Sequence, residues 1–90
     1  MRYYVYVLKS SRDSKNYVGF TKDLKRRLLE HGRGQVQSTK HRRPLELVYY
    51  EVSFSREDAT HREKYLKSAY GKRYLKNRLK NQSVGVLLPE

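Results

Sequence analysis

Five polar side chains fall where a small domain should place apolar ones, and their types suit the hydrolysis of a phosphodiester. They are Tyr6, Tyr17, Arg27, His31 and Glu63. One carboxylate can hold Mg²⁺, which keeps several waters and also contacts a phosphate oxygen. A guanidinium is a forked donor to phosphate oxygens. A tyrosine hydroxyl can orient the attacking water or take its proton, if cations, a metal or a histidine lower its pKa from about 10.

The two tyrosines lie on a predicted β-hairpin. Residues 3–8 and 17–21 are rich in β-branched and aromatic residues, and the polar stretch KSSRDSKN between them is typical of a turn. Because side chains alternate along a strand, Tyr6 lies on one face of the first strand, and Tyr17 and Gly19 share a face of the second. Strand propensity also favours tyrosine at these positions, so their location alone does not establish a role.

The first helix is expected to carry the arginine and the histidine. Thr21 can cap a helix that opens with Asp23, because an acidic residue is favourable in a first turn. The helix is predicted to run to about His31 and to end at Gly32, a residue type common at helix C-termini. Arg27 and His31 fall within or beside the apolar stripe formed by its leucines.

The second helix is expected to carry the carboxylate. Ser55 is a typical N-cap, and the stretch SREDATHREKYLKSAY that starts with it is predicted as a helix. Glu63 lies on the side of this helix marked by alanine and leucine, where an unpaired charge is costly to bury. Gly71 is predicted to interrupt the helix, and KRYLKNRLKN is predicted to continue as a third, basic helix.

The remaining segments complete an α+β fold. QVQSTKHRRP is a polar and basic loop, and LELVYYEV is predicted as a third strand. The tail QSVGVLLPE either packs back on the domain or meets a second subunit in a homodimer. The predicted order is β-β-α-β-α-α, with a small three-stranded antiparallel or mixed sheet flanked by helices. We expect residues 1–90 to form a single domain, because a chain of this length has little room for a second core.

The charge balance favours a nucleic-acid partner. The chain has 21 Lys and Arg residues against 9 Asp and Glu residues, and its net charge is +12. So large an excess repels itself in the folded state, and nucleic acid is the commonest partner that explains it, with anionic membranes and acidic proteins as alternatives. The absence of cysteine excludes disulfides and thiolate metal sites. No apolar run is long enough to span a bilayer and no signal peptide is recognisable, so we predict a cytoplasmic protein without a membrane partner.

Each of the five polar residues also has a structural interpretation. Arg27 could extend past the leucines to water, and His31 could interact with the helix dipole. Glu63 could form an ion pair with Arg27 or Arg62. The two tyrosines could pack with their hydroxyls at the surface. The coincidence of all five favours one site over these separate explanations.

The motifs that carry these residues resemble those of the GIY-YIG nuclease family. YVY at residues 4–6 is similar to the Gly-Ile-Tyr motif, although its first residue is a tyrosine here, and YVG at residues 17–19 is similar to Tyr-Ile-Gly. YVGFTKDLKRRLLEH resembles the second motif and the following helix, whose arginine and histidine fall on Arg27 and His31. RPLELVYYEVSFSREDATHREKYLKS resembles the third strand and the helix whose metal-binding glutamate falls on Glu63.

The resemblance extends from Tyr3 to about Leu79 and implies an endonuclease that hydrolyses phosphodiester bonds in DNA, with Mg²⁺ or Mn²⁺ held by Glu63. It implies catalytic roles for all five polar residues, with both tyrosines facing the scissile phosphate and Gly19 leaving room beside them. Most relatives carry a separate DNA-binding domain, which this chain lacks. We therefore expect selection for branched, nicked or distorted DNA of the repair and recombination type, and a protein partner for targeting. A non-cleaving module that binds DNA or RNA is the alternative.

Further residues are expected to contact the substrate. The basic loop contributes most of them, because phosphates attract Lys and Arg side chains. The family often has an asparagine late in the chain near the site, and we favour Asn77 over Asn81 for it. The predicted substrate-binding residues are Gly19, Lys40, His41, Arg42, Arg43 and Asn77.

Overall fold

A four-stranded antiparallel sheet is the centre of the molecule, which a computed structural model describes from residue 1 to residue 90. The strands are β1 (Tyr3–Ser10), β2 (Asn16–Thr21), β3 (Leu45–Ser53) and β4 (Val86–Leu87). Their order across the sheet is β2-β1-β3-β4, so β1 is paired on both sides. The predicted α+β class is confirmed. The prediction of three strands is wrong, because the tail adds β4.

Three helices pack around this sheet. They are α1 (Leu24–Gly32), α2 (Arg56–Lys67) and α3 (Ala69–Arg78), and a short 3₁₀ helix (Lys40–Arg42) lies in the loop between α1 and β3. None of these helices is long and apolar enough to cross a membrane. The order along the chain agrees with the predicted β-β-α-β-α-α, apart from the 3₁₀ helix and β4.

The larger apolar cluster joins the sheet to α2 and α3. Val5 and Val7 of β1 pack there with Ala59 and Leu66 of α2 and with Leu75 of α3. These side chains are almost completely removed from solvent. Burial of apolar surface on this scale is the main stabilising contribution to a small domain.

A smaller cluster lies on the opposite face of the sheet. It consists of Tyr6, Leu8, Leu45 and Leu88, and leucines of α1 pack against it. Alternation along β1 explains why Tyr6 belongs to this cluster while its neighbours in sequence belong to the larger one. Tyr6 is fully buried. The face that α1 covers therefore contains Tyr6, Tyr17 and His31, whereas Glu63 belongs to α2, which packs on the other face.

Both ends of α1 are formed by different interactions from those predicted. Asp23, rather than Thr21, is the N-cap, and its carboxylate accepts a hydrogen bond from the backbone N–H of Arg26 at 3.1 Å. A carboxylate also suits the positive end of the helix dipole. Gly32 is the last residue of α1, and a Cβ there would overlap the carbonyl oxygen of Pro89. The lack of a side chain at Gly32 therefore allows the tail to pack closely against the end of α1.

The break between α2 and α3 lies at Ser68 rather than at Gly71. The Ser68 hydroxyl donates to the carbonyl oxygen of Tyr65 at 2.6 Å and accepts from the backbone N–H of Gly71 at 3.2 Å. These two bonds end α2 and cap α3. Gly71 lies in the first turn of α3, where a Cβ would overlap the backbone of Tyr65 and Leu66. Glycine at this position allows α3 to approach α2 closely.

The tail packs back on the domain, which is one of the two arrangements that the sequence leaves open. The strand Val86–Leu87 pairs with β3. The backbone N–H of Leu88 then donates to the carbonyl oxygen of Leu45 at 3.0 Å. The Leu88 side chain is buried in the cluster around Tyr6. The tail thus closes one side of that cluster.

Candidate active site

Three buried side chains form a continuous hydrogen-bonded chain between the sheet and α1. Tyr6 Oη lies 2.7 Å from His31 Nε2, and His31 Nδ1 lies 2.7 Å from Thr39 Oγ1. None of the three side chains has exposed surface. Tyr6 comes from β1, His31 from the last turn of α1, and Thr39 from the loop before the 3₁₀ helix. Every buried side-chain polar atom in the protein has a partner, including those of this chain.

The Tyr6 hydroxyl is located by the residues opposite it in the sheet. Tyr6 lies across from Gly19 of β2 and Tyr50 of β3. A Cβ at Gly19 would overlap the ring and the hydroxyl of Tyr6. The absence of a side chain at Gly19 therefore lets the Tyr6 ring lie across β2 and reach His31.

Tyr17 completes an aromatic cluster with Tyr6 and His31. The centroids of the two tyrosine rings are 6.4 Å apart, and the His31 ring packs edge-on against both, at 5.5 Å from Tyr6 and 5.2 Å from Tyr17. Tyr17 is half-buried, whereas Tyr6 is completely buried. This differs from the expectation that both tyrosines face a phosphate. Only Tyr17 presents surface that a substrate can touch.

Burial keeps the imidazole of His31 neutral. It lowers the pKa of His31 to about 4, and the nearby Arg27 cation acts in the same direction. Near neutral pH one ring nitrogen is therefore a donor and the other an acceptor. Either Tyr6 donates to Nε2 while Nδ1 donates to Thr39, or both hydrogen bonds run in the opposite direction. The Thr39 hydroxyl is thus coupled to the choice of nitrogen that carries the proton.

Burial has the opposite effect on the acidity of Tyr6. It raises the pKa of the Tyr6 hydroxyl to about 12; the adjacent Arg27 guanidinium opposes the shift, and Tyr17 and Glu63 add to it. Tyr6 is therefore a neutral hydroxyl near neutral pH rather than a phenolate. The chemistry open to it is hydrogen bonding and exchange of a proton with His31.

Arg27 lies at the rim of the buried chain. Its guanidinium is beside the Tyr6 hydroxyl, and its Nη1 donates to Glu30 Oε1 at 3.0 Å. Burial disfavours the charge, yet the adjacent Tyr6 hydroxyl and the hydrogen bond to Glu30 raise the pKa of Arg27 above its ordinary value. With 37% of its side chain exposed, the guanidinium keeps donors for a phosphate. The alternative that Arg27 only extends past the leucines to water therefore does not account for its contacts.

Glu63 forms an ion pair with Lys67, one helical turn later on α2. Lys67 Nζ lies 3.1 Å from Glu63 Oε2, and 22% of the Glu63 side chain is exposed. The alternative predictions of an ion pair with Arg27 or Arg62 are wrong, because each of these arginines binds another glutamate. Glu63 therefore remains a surface-accessible carboxylate with a single cationic neighbour.

A divalent metal could be held at Glu63 only together with water and substrate. No group of three or more His, Asp or Glu side chains is arranged to bind a metal. One oxygen of Glu63 contacts Lys67, and the other has no protein partner. Mg²⁺ fits such a site, because proteins usually bind it through one or two carboxylates, waters and substrate phosphate. Zinc does not fit, because it needs three or four protein ligands.

The two arginines of the basic loop contact the protein itself. Arg42 Nε lies 3.4 Å from Asp13 Oδ2, and its Nη2 donates to a backbone carbonyl of the β1–β2 turn at 3.1 Å. Arg43 donates to the carbonyl oxygens of Lys40 and Gly32 at 3.0 and 3.3 Å. The guanidinium groups thus anchor the loop, and fewer of their donors remain for a phosphate.

A shallow depression beside Tyr17 is lined by none of the other predicted substrate-binding residues. Lys40 and His41 lie on the 3₁₀ helix, where His41 is exposed. Asn77 is exposed on α3 and does not line the depression beside Tyr17. Asn16, the residue before Tyr17 on β2, lines that depression instead.

Sequence reasoning missed two residues that the structure brings to the site. Thr39 lies in a loop predicted only as polar and basic, and no spacing rule connects it with His31. Lys67 could have been identified, because it follows Glu63 by four residues on a predicted helix and such pairs are neighbours on the helix surface.

Comparison with known proteins relates most of the chain to one domain family. The family model described as the GIY-YIG catalytic domain matches residues 2–80. A UPF0213 protein of Staphylococcus saprophyticus is 36% identical over 76 residues, which cover 83% of this chain and 92% of that protein. A UPF0213 protein of Staphylococcus aureus is 40% identical over 67 residues, which cover 73% of this chain and 80% of that protein. The solution NMR structure of a UPF0213 protein from Bacillus halodurans is similar with a TM-score of 0.57 and 34% identity, over 92% of this chain and 89% of that one.

Proposed function

Because the chain belongs to the GIY-YIG family, we propose that it is a divalent-metal-dependent endonuclease that cuts branched, nicked or otherwise distorted DNA. The family supports a nucleic-acid substrate and phosphodiester hydrolysis. The net charge of +12 supports strong attraction to a phosphate backbone. Selection by shape is part of the proposal, because contacts to phosphates position a protein on DNA without reading its sequence.

The observation that carries the proposal is the hydrogen-bonded chain from Tyr6 through His31 to Thr39, with Tyr17 and Arg27 at its rim. Buried polar groups cost free energy unless all their hydrogen bonds are made, and apolar residues of similar size would pack as well. A purely structural role therefore does not require these buried hydrogen bonds. A site that must orient a tyrosine and an arginine towards a phosphate does require them.

Arg27 and Tyr17 contact the substrate in this proposal. Arg27 donates to the phosphate oxygens as negative charge develops on them in the transition state. Tyr17 orients the attacking water through its hydroxyl, because it is the more exposed of the two tyrosines. Tyr6 and His31 act as positioning residues, because the Tyr17 ring packs against both of their rings.

Glu63 holds the divalent cation in this proposal. When bound, the metal stabilises the charge on the phosphate and on the leaving oxygen. The free oxygen of Glu63 is open to the metal, and Lys67 releases Oε2 only if both oxygens bind it. Ion pairs between exposed residues four apart on a helix contribute only about 0.3–0.5 kcal/mol, so this release costs little.

A non-cleaving nucleic-acid-binding module is the second candidate. It is favoured by the presence of a single candidate metal ligand, Glu63, whose carboxylate is paired with Lys67. The positive charge of the chain supports both candidates equally. Cleavage, rather than binding, therefore has to distinguish them.

The deciding experiment is incubation with branched, nicked and linear DNA and with RNA, in Mg²⁺, Mn²⁺ or EDTA. We expect cleavage of distorted DNA with either metal and none in EDTA. Arg27→Ala should reduce the cleavage rate by about 10²–10³-fold with little change in affinity. Arg26→Ala is the matched control, because Arg26 is 77% exposed and also pairs with Glu30. Binding without cleavage of any substrate would replace the first candidate by the second.

A further inference from the structure

A groove runs along α3 and ends beside Tyr17. Its larger part has a volume of about 350 Å³ and lies between α3, the sheet and the segment before β4. A smaller depression of about 280 Å³ adjoins it and is lined by Tyr17 and Lys67. Asn16, Lys72 and Leu75 line both parts. The two parts therefore form one continuous surface that leads to the rim of the candidate active site.

Lysines dominate the charge of this groove. Lys9, Lys72, Lys76 and Lys80 line its larger part, and none of them forms an ion pair. Glu46 is the one acidic residue of the lining, and it lies opposite Lys9 in the pairing of β1 with β3. Four ammonium groups thus face one carboxylate, and the excess charge in the groove is open to an anionic ligand.

Two of these lysines lie along one side of α3, and a third continues the row just after the helix ends. Lys72, Lys76 and Lys80 follow one another at every fourth residue, which places the first two about 6 Å apart along the helix axis. Arg73 and Arg78 lie on the same helix but do not line the groove. The row extends the charge over a length that suits a linear polyanion better than a single small anion.

We propose that this lysine groove binds the sugar–phosphate backbone of the nucleic-acid strand on one side of the phosphodiester that is cut. The inference rests on the proposed function, because it places the substrate strand relative to Tyr17. The lysines act as point charges on the phosphates. Four apolar residues in the lining offer surface to the sugars. They are Val48, Leu75, Leu79 and Val84.

An acidic polypeptide is the rival occupant of the same charges. The continuity of the groove with Tyr17 favours nucleic acid, because a strand bound along α3 passes directly to the candidate catalytic residues. Lys67 lies at the junction, between the groove and Glu63. A strand that follows the lysine row therefore reaches both Tyr17 and the carboxylate proposed to hold the metal.

The test compares two double variants of α3 with the same change in charge. Lys72→Gln with Lys76→Gln removes two groove lysines, and Arg73→Gln with Arg78→Gln removes two charges from elsewhere on the helix. Affinity for fluorescein-labelled branched DNA, duplex and single strand is measured by anisotropy over a series of salt concentrations. Melting temperatures of both variants establish that each is folded.

The groove variant should bind about tenfold or more weakly near 0.1 M salt and should lower the slope of log affinity against log salt by about 1.8 for duplex or 1.4 for single strand. The arginine variant should change affinity and slope much less. Equal effects of the two variants would overturn the groove as the binding site. Displacement of DNA by polyglutamate as effective as by unlabelled oligonucleotide would also overturn it, in favour of an acidic polypeptide.

The groove and the proposed function fail in different ways. A wild-type protein that binds DNA through the lysine row but cuts no substrate would support the groove and contradict the endonuclease. A wild-type protein that cuts DNA, with equal affinities for the two double variants, would support the endonuclease and contradict the groove. Absence of nucleic-acid binding by the wild-type protein would overturn both.

Discussion

At the scale of single residues, Thr39 supplies the hydrogen-bond partner of His31 Nδ1. Its hydroxyl lies 2.7 Å from His31 Nδ1, and both side chains are fully buried. A buried ring nitrogen that loses its partner costs about 1–3 kcal/mol. In the proposed site, Tyr6 and Tyr17 therefore depend on a residue that forms a hydrogen bond with neither of them and acts through the imidazole.

Thr39→Val should reduce the cleavage rate by about a hundredfold, at the lower end of what loss of acid–base assistance costs. Valine keeps the shape of threonine and removes only the hydroxyl that pairs with His31 Nδ1. Thr39→Ser should restore most of the rate, because it restores that hydroxyl. The pH profile of kcat separates positioning from packing, since a packing defect lowers stability without moving the profile. A folded Thr39→Val protein with an unchanged rate and pH profile would contradict this role.

Glu63→Gln should abolish metal-dependent cleavage while nucleic-acid binding persists or becomes tighter. Glutamine keeps the volume and one acceptor oxygen but lacks the charge that attracts a divalent cation. The variant should remain folded, because the lost ion pair with Lys67 is partly exposed and worth about 0.3–0.5 kcal/mol. Lys67→Met is the matched control, because it breaks the same ion pair and leaves the carboxylate in place. Cleavage by a folded Glu63→Gln protein in Mg²⁺ would remove Glu63 from the metal site.

At the scale of secondary-structure elements, β4 supports the cluster around Tyr6. Leu87 and Leu88 are neighbours in sequence, yet 63% of Leu87 is exposed and only 4% of Leu88. Leu88 packs with Tyr6, Leu8 and Leu45, so the tail forms part of the environment of the Tyr6 hydroxyl. The two leucines provide a comparison within a single strand end.

Leu88→Ala should lower the free energy of unfolding by about 2–5 kcal/mol, because it leaves a cavity in a packed cluster. Leu87→Ala should change it by less than about 0.5 kcal/mol, as expected for a surface position. Chemical denaturation of both variants measures the difference. Similar values for the two would show that the tail does not contribute to the cluster in solution.

The elements that the sequence predicts well are those with strong local signals. The hairpin, β3 and the start of α2 at Ser55 agree with the structure, because alternation and capping are encoded within a few residues. β4 was not predicted, since two residues are too few to show an alternating pattern. The helix break was predicted at Gly71 instead of Ser68, because glycine there serves the contact between two helices, which only the folded structure reveals.

The sequence predicted the residue types of the candidate site but not how completely their side chains are buried. Spacing indicated that Tyr6, His31 and Glu63 lie on the inner faces of their elements. It did not indicate that Tyr6 is completely buried or that Thr39 continues its hydrogen bonds, because both depend on contacts between segments distant in sequence. The ion-pair partner of Glu63 was not predictable either, because Arg27 and Arg62 form ion pairs with other glutamates.

At the scale of the whole molecule, the buried imidazole makes stability depend on pH. The folded-state pKa of His31 is about 4, below the ordinary value of 6.5. Below about pH 6.5 the unfolded chain binds a proton that the folded protein does not, so the free energy of unfolding falls as the pH falls towards 4. Above that range the contribution of the neutral imidazole is fully present.

The wild-type protein should therefore lose about 2 kcal/mol of stability between pH 7 and pH 5 through this residue. Denaturant unfolding at the two pH values measures the loss. In His31→Gln the loss over the same range should be smaller by that amount, because glutamine does not titrate. The same pH dependence in both proteins would show that His31 is not buried in its neutral form in solution.

The attachment of α1 has a consequence for local opening of the native protein. α1 is held by its leucines and by the hydrogen bonds of His31, whereas β1 is held by backbone ladders on both sides. Elements that no backbone hydrogen-bond ladder joins to their neighbours can open separately while the rest of the protein stays folded. Amide hydrogens of α1 should therefore exchange with deuterium faster than those of β1, under conditions where global unfolding is too rare to matter. Because Arg27 and His31 both leave with α1, each opening would disassemble the site, and a bound substrate that engages Arg27 should slow that exchange. Equal exchange rates in α1 and β1 would mean that the domain opens only as a whole.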